Sequence, residues 1–156
     1  MVDLDIQHAS TLPIPFSDEK LACWVEAALE KEASPTELTL RLVDAVEIQS
    51  LNATYRNKNK PTNVLAFPAN LPEDISKTCP LLGDIIVCPS VLEQESQNDA
   101  IPLEAHWAHI VIHGVLHLLG YDHIEEQDEQ VMQAREIEVL ATLGFANPYL
   151  YQEESD

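Results

Sequence analysis

A chain of 156 residues, 46% of them hydrophobic, has the material for a domain with a sizeable core, and it excludes disorder and fibrous repeats as organising principles. The formal net charge of −19 favours solubility and argues against broad, non-specific attachment to nucleic acid or anionic membrane. No apolar run reaches the roughly 18 residues of a membrane span, the acidic start MVDLDIQHAS is unlike a signal peptide, and the cysteines Cys23, Cys79 and Cys88 form neither a CxxC pair nor a disulfide framework. A cytoplasmic protein is therefore expected, with free thiols, no membrane partner and no dinucleotide cofactor.

In chain order, VDLDIQ alternates and predicts a strand, with turn signals following around Pro13 and Pro15. Ser17 stands as N-cap to a helix over DEKLACWVEAALEKEA, in which Leu21, Trp24, Val25 and Leu29 form an apolar stripe. ELTLRLV alternates as a second strand, and Asp44 caps a helix carrying Val46, Ile48, Leu51 and Tyr55. RNKNKPT, residues 56–62, is a polar turn; NVLAF is a strand stopped by Pro68; a proline-spaced loop then runs to about residue 80. LGDIIVC is a buried strand with Cys88 in the core, and Pro89 opens the helix after it. From Pro102 a long apolar helix runs through His117 and should end near Gly120. A last helix covers about 126–143 and stops at Gly144. No repeat or linker divides the chain. The reading is a single domain over 1–156 of α+β class, a small mixed β-sheet packed with helices.

HGVLHLLGYDH, residues 113–123, carries the chemistry. On a helix, His113 and His117 lie about 40° apart in azimuth and about 6 Å apart along the axis, so they share a face. Their nitrogens can converge on one ion at about 2.0–2.1 Å. His109 is on a similar face but about 12 Å from His117 along the axis. Gly120 can adopt the left-handed conformation that ends a helix, swinging His123 back as a third ligand. Three neutral imidazoles suit zinc, and a fourth position left to water marks a catalytic rather than a structural site. His8, His106 and His109, each taken singly, read as satisfied histidines. The spacing fits the zinc-protease pattern H-E-x-x-H-x-x-G-x-x-H at every position but one: Gly114 stands where those enzymes carry the glutamate that moves protons. Arg56, Lys58 and Lys60 form the one concentration of positive charge in an acidic chain, suited to phosphate oxygens.

These residues give the chain a resemblance to the YbeY family of single-domain, metal-dependent bacterial endoribonucleases. HGVLHLLGYDH is similar to the family's H-G-x-L-H-L-x-G-[YH]-D-H signature throughout, and LNATYRNKNKPTNVLAFP and LLGDIIVCP resemble its other two signatures in the expected order. Asn63 and Ala66 depart from it, standing where many members have aspartate and serine, and are read as scaffold. The resemblance implies an α+β fold, a zinc ion held by His113, His117 and His123, and a functional arginine at Arg56. It also implies processing of the 3′ end of 16S ribosomal RNA, ribosome quality control and a link to the small ribosomal subunit or its associated proteins. The expected activity is zinc-dependent cleavage of single-stranded RNA, with Arg56 clamping the scissile phosphate and Lys58 and Lys60 holding the backbone. Two alternatives stand beside it: a zinc peptidase or other hydrolase with a displaced general base, and a non-catalytic ribosome-assembly factor whose metal is structural.

Overall fold

The computed structural model describes residues 2–32, 34–69, 71–76, 79–121 and 126–150. In chain order these form β1 (Val2–His8), α1 (Asp18–Ala28), β2 (Thr36–Leu42), α2 (Ala45–Arg56), β3 (Val64–Pro68), α3 (Glu73–Ser76), β4 (Leu81–Val87), α4 (Pro89–Asp99), α5 (Leu103–Leu118) and α6 (Glu126–Thr142). The strands make one mixed sheet in the order β1-β2-β4-β3. The β1–β2 and β2–β4 pairs are parallel and β3–β4 is antiparallel. This is the α+β arrangement, a small mixed sheet packed with helices, expected from the sequence.

Side chains alternate across the pleat, and β3 and β4 thereby feed two cores, one on each face. Leu38, Leu40 and Leu42 of β2 and Ile85 and Val87 of β4 enter the larger one, with Trp24 of α1, Val111 and Val115 of α5, and Met132 of α6. On the other face Ile86, Cys88 and Leu65 meet Ile48 of α2. The sheet is thus a partition, with α1, α5 and α6 on one side and α2 on the other. The edge strand β3 lies between the end of α2 and the body of α5, and that places the site.

Local signals set most of the boundaries. The Ser17 hydroxyl accepts from the Lys20 amide and caps α1, as expected. Pro89 occupies the first turn of α4, where its missing N–H costs nothing. Asp44 takes the capping position of α2 by backbone conformation, but its carboxylate does not cap. It accepts instead from the Thr11 amide and from the Ser10 and Thr11 hydroxyls, tying the chain after β1 to the start of α2. These bonds, the Thr11 amide foremost, hold its carboxyl below the usual range. The apolar stripe expected on α2 is also narrower than its sequence implies. Ile48 is fully buried, but Val46 is 82% exposed, because it lies about 200° around the helix from Ile48. Tyr55 packs edge-on against Phe67 yet stays 64% exposed beyond the sheet margin. The proline-spaced loop holds one short helical turn, α3.

Helix α5 ends as the sequence requires. Gly120 adopts a φ of +103°, its N–H bonds to the His117 carbonyl, and the Tyr121 N–H reaches back to the Leu116 carbonyl. The paired bonds form a Schellman motif, which reverses the chain just beyond His117.

Gly114 serves a different purpose. A Cβ built there would lie 2.9 Å from Cγ2 of Ile85, a buried β-branched side chain of β4 that has little room to give. Gly114→Ala is therefore expected to destabilise the fold. Overpacking costs about 1–3 kcal/mol, against about 0.5–1 kcal/mol regained in helix propensity. A lower urea midpoint at unchanged slope, corresponding to a loss of about 1–2 kcal/mol in unfolding free energy, is the expected readout.

Candidate active site

His113 and His117, one turn apart on α5, turn their Nε2 atoms toward each other at 3.2 Å, with the rings 79° from coplanar. Two nitrogens each about 2.0–2.1 Å from a tetrahedral ion stand about 3.3 Å apart. The separation of the pair therefore matches that of two ligands on one tetrahedral ion. His123 and Asp122 lie outside the described residues; the Gly120 turn that leads toward them is in place.

Behind His113 sits Glu136 of α6, which has no exposed surface. One carboxylate oxygen accepts from His113 Nδ1 at 2.5 Å and lies 3.4 Å from His109 Nε2. The other accepts from the Tyr149 hydroxyl, which also lies 3.4 Å from His109 Nε2. Burial pushes the Glu136 carboxyl up, but the hydrogen bonds from His109 and His113 overcome it and hold the group at about 2. Burial, aided by Glu136, pushes the Tyr149 phenol up, so it stays a donor. His109, His113 and Glu136 each bring one ligand atom within 4.8 Å of the other two, and they form a cluster that could hold a metal ion. The 2.5 Å His113–Glu136 contact is shorter than the separation of two ligands on a shared ion and has the length of a charge-assisted hydrogen bond. His113 thus faces two ways, with Nδ1 toward the buried carboxylate and Nε2 toward His117.

The opposite wall is basic. Arg56 ends α2, and its guanidinium donates to the Ala66 carbonyl on β3 at 3.1 Å. Asn57 closes the helix in the left-handed conformation. The following loop is pinned by Asn52, a buried residue of α2 whose amide donates to the Lys60 carbonyl and whose own carbonyl accepts the Lys58 N–H. Arg56, Lys58, Lys60, His113, His117 and Gly120 line one open cleft of ≈ 820 Å³ along the β3 edge. Lys20, Lys31, Arg41 and Arg135 are each neutralised by a carboxylate, at 2.5–3.0 Å. Among the described residues, Arg56, Lys58 and Lys60 make no such pair. In an acidic protein these three are, among the described residues, the cations left for a ligand.

The fold thus gathers five of the six residues singled out in the sequence, from three separate elements. Asn63 and Ala66 also line the cleft. Asn63 donates its amide to Glu95 on α4, and Ala66 contributes the backbone carbonyl that Arg56 uses, for which its side chain is immaterial. His8 pairs with Asp18 and His106 with Glu95, as satisfied histidines should. His109 is satisfied too, but inside the Glu136 cluster, a position the helical spacing alone did not give it.

The profile of the Endoribonuclease YbeY family matches residues 6–144. Proteins named Endoribonuclease YbeY from Legionella pneumophila strains Corby and Lens are each 51% identical over 150 residues, covering 96% of this chain and 95% of theirs. The solution structure of TM1509 from Thermotoga maritima matches with a TM-score of 0.58 and 27% identity, covering 95% of this chain and 98% of that one. Fold, cleft and likeness together define a small α+β hydrolase. The chain belongs to the endoribonuclease YbeY family.

Proposed function

We propose that the chain, acting as a single domain over 1–156, is a zinc-dependent endoribonuclease that cuts single-stranded RNA. Its place would be the cytoplasm, in maturation of the 16S ribosomal RNA 3′ end and in ribosome quality control, in association with the small ribosomal subunit or its proteins. The observation that carries this reading is the sharing of one cleft by the convergent His113–His117 pair and three cations with no carboxylate partner among the described residues. His113 and His117, with His123, hold the ion. Zinc supplies Lewis acidity at the phosphorus centre when bound. The Arg56 guanidinium, steadied by the Ala66 carbonyl, takes two phosphate oxygens and stabilises the charge that grows on them. Lys58 and Lys60 hold flanking phosphates, while the acidic remainder of the surface repels RNA elsewhere.

The peptidase alternative needs a general base from somewhere other than position 114. A glutamate at position 114 would have to displace Ile85, so the proton-moving carboxylate of that mechanism has no room there. Chelation is expected to abolish cleavage of a single-stranded oligoribonucleotide, and zinc is expected to restore it, with a duplex of the same sequence cut far more slowly. Cleavage undiminished after complete metal removal would overturn the reading. Product ends decide the nucleophile: a 2′,3′-cyclic phosphate indicates attack by the RNA 2′-hydroxyl, and its absence indicates attack by water.

A further inference from the structure

We propose that Glu136 and Tyr149 form a positioning pair that sets the tautomer and ring orientation of His113, and through it the affinity of the site for its metal. This rests on the reading of His113 and His117 as ligands. A neutral imidazole can place its single hydrogen on either nitrogen, and only the nitrogen without it can bind an ion. At His113 the choice is made by its surroundings. The Glu136 side chain is fully buried with one carboxylate oxygen 2.5 Å from Nδ1, where it accepts, and this contact fixes the hydrogen on Nδ1. The Nε2 lone pair is then turned to His117. Tyr149, from the segment after α6, donates to the second carboxylate oxygen and stops the carboxylate from rotating away. A carboxylate bonded to the far nitrogen of a ligating histidine typically accounts for about 10- to 100-fold in metal affinity.

Three proteins test this: wild type, Glu136→Met and Tyr149→Phe. The methionine keeps the length of the side chain but leaves the His113 and Tyr149 donors without their acceptor, so some stability is lost, and the melting temperature shows that the variant is folded. The phenylalanine removes one hydroxyl only and is the safeguard should the first variant not fold. Zinc affinity is read by competition with a chromophoric chelator. Nitrogen-15 shifts of the histidine rings in metal-free protein report the tautomer without any metal. Wild type should hold His113 with its hydrogen on Nδ1. Glu136→Met should lose that preference and bind zinc about 10- to 100-fold more weakly. Tyr149→Phe should move both readouts the same way by less, with its melting temperature unchanged. A folded Glu136→Met with wild-type tautomer and affinity overturns the proposal. So does loss of all zinc binding in Glu136→Met alongside its retention in His117→Ala, which would make Glu136 itself a ligand. Wild type that takes up no zinc sinks the metal reading instead, a result separable from the others because the tautomer is measured without the ion.

Discussion

His117→Ala is expected to purify nearly free of zinc and to cleave RNA no faster than the buffer background. The side chain contributes one of two nitrogens already set at ligand spacing, so its loss removes a ligand rather than a support. The loss of affinity should exceed the roughly 100-fold that outer partners of a ligand command. The fold should survive, because His117 sits at the last turn of α5 and opens onto the cleft, whereas the core contacts of that turn come from Val115 and Leu116. Elemental analysis, a zinc titration and a thermal melt check the three parts. Full zinc occupancy in His117→Ala would move the ion to the other face of His113, among His109 and Glu136.

Arg56→Ala should separate chemistry from metal binding. The guanidinium touches no described metal-ligating residue; its hydrogen-bond partner is the Ala66 carbonyl. Zinc content should therefore stay at the wild-type level while kcat falls about 10²- to 10³-fold, the usual cost of removing one donor aimed at developing charge. Arg56→Lys should recover only a small part, because an ammonium cannot span two phosphate oxygens as a planar fork does. Steady-state cleavage over a range of RNA concentrations is the measurement. A change confined to KM would reassign Arg56 from the reacting phosphate to the backbone on either side of it.

The parts of this molecule that could be read from its sequence are those governed by local chemistry. Ser17, Pro89, Gly120 and Gly144 mark helix ends through their own backbone preferences, and the alternation in ELTLRLV and the apolar run of LGDIIVC give strands whatever lies across the sheet. The His113–His117 convergence follows from helical periodicity alone. Features created by long-range packing were not legible. Glu136 is one of 27 acidic residues, and nothing in EQDEQVMQAREIEVLAT separates it from the solvated ones until α6 is laid against α5. Asn52 reads as a surface residue of a polar helix, yet it is 97% buried because the Arg56–Lys60 loop folds back over it. An asparagine one turn after Ile48, on the buried face of α2, was the available signal. Val46 and Tyr55 misled in the opposite sense, since apolar character does not say where a sheet ends.

The seat of Gly114 reaches beyond stability. A helix that rests its backbone directly on Ile85 has surrendered the one position from which a zinc-peptidase glutamate would operate. Swapping that single residue cannot turn this scaffold toward amide bonds; the strand beneath would have to be rebuilt first. Between two chemistries that share a histidine framework, the barrier is here a matter of volume, one methyl group wide.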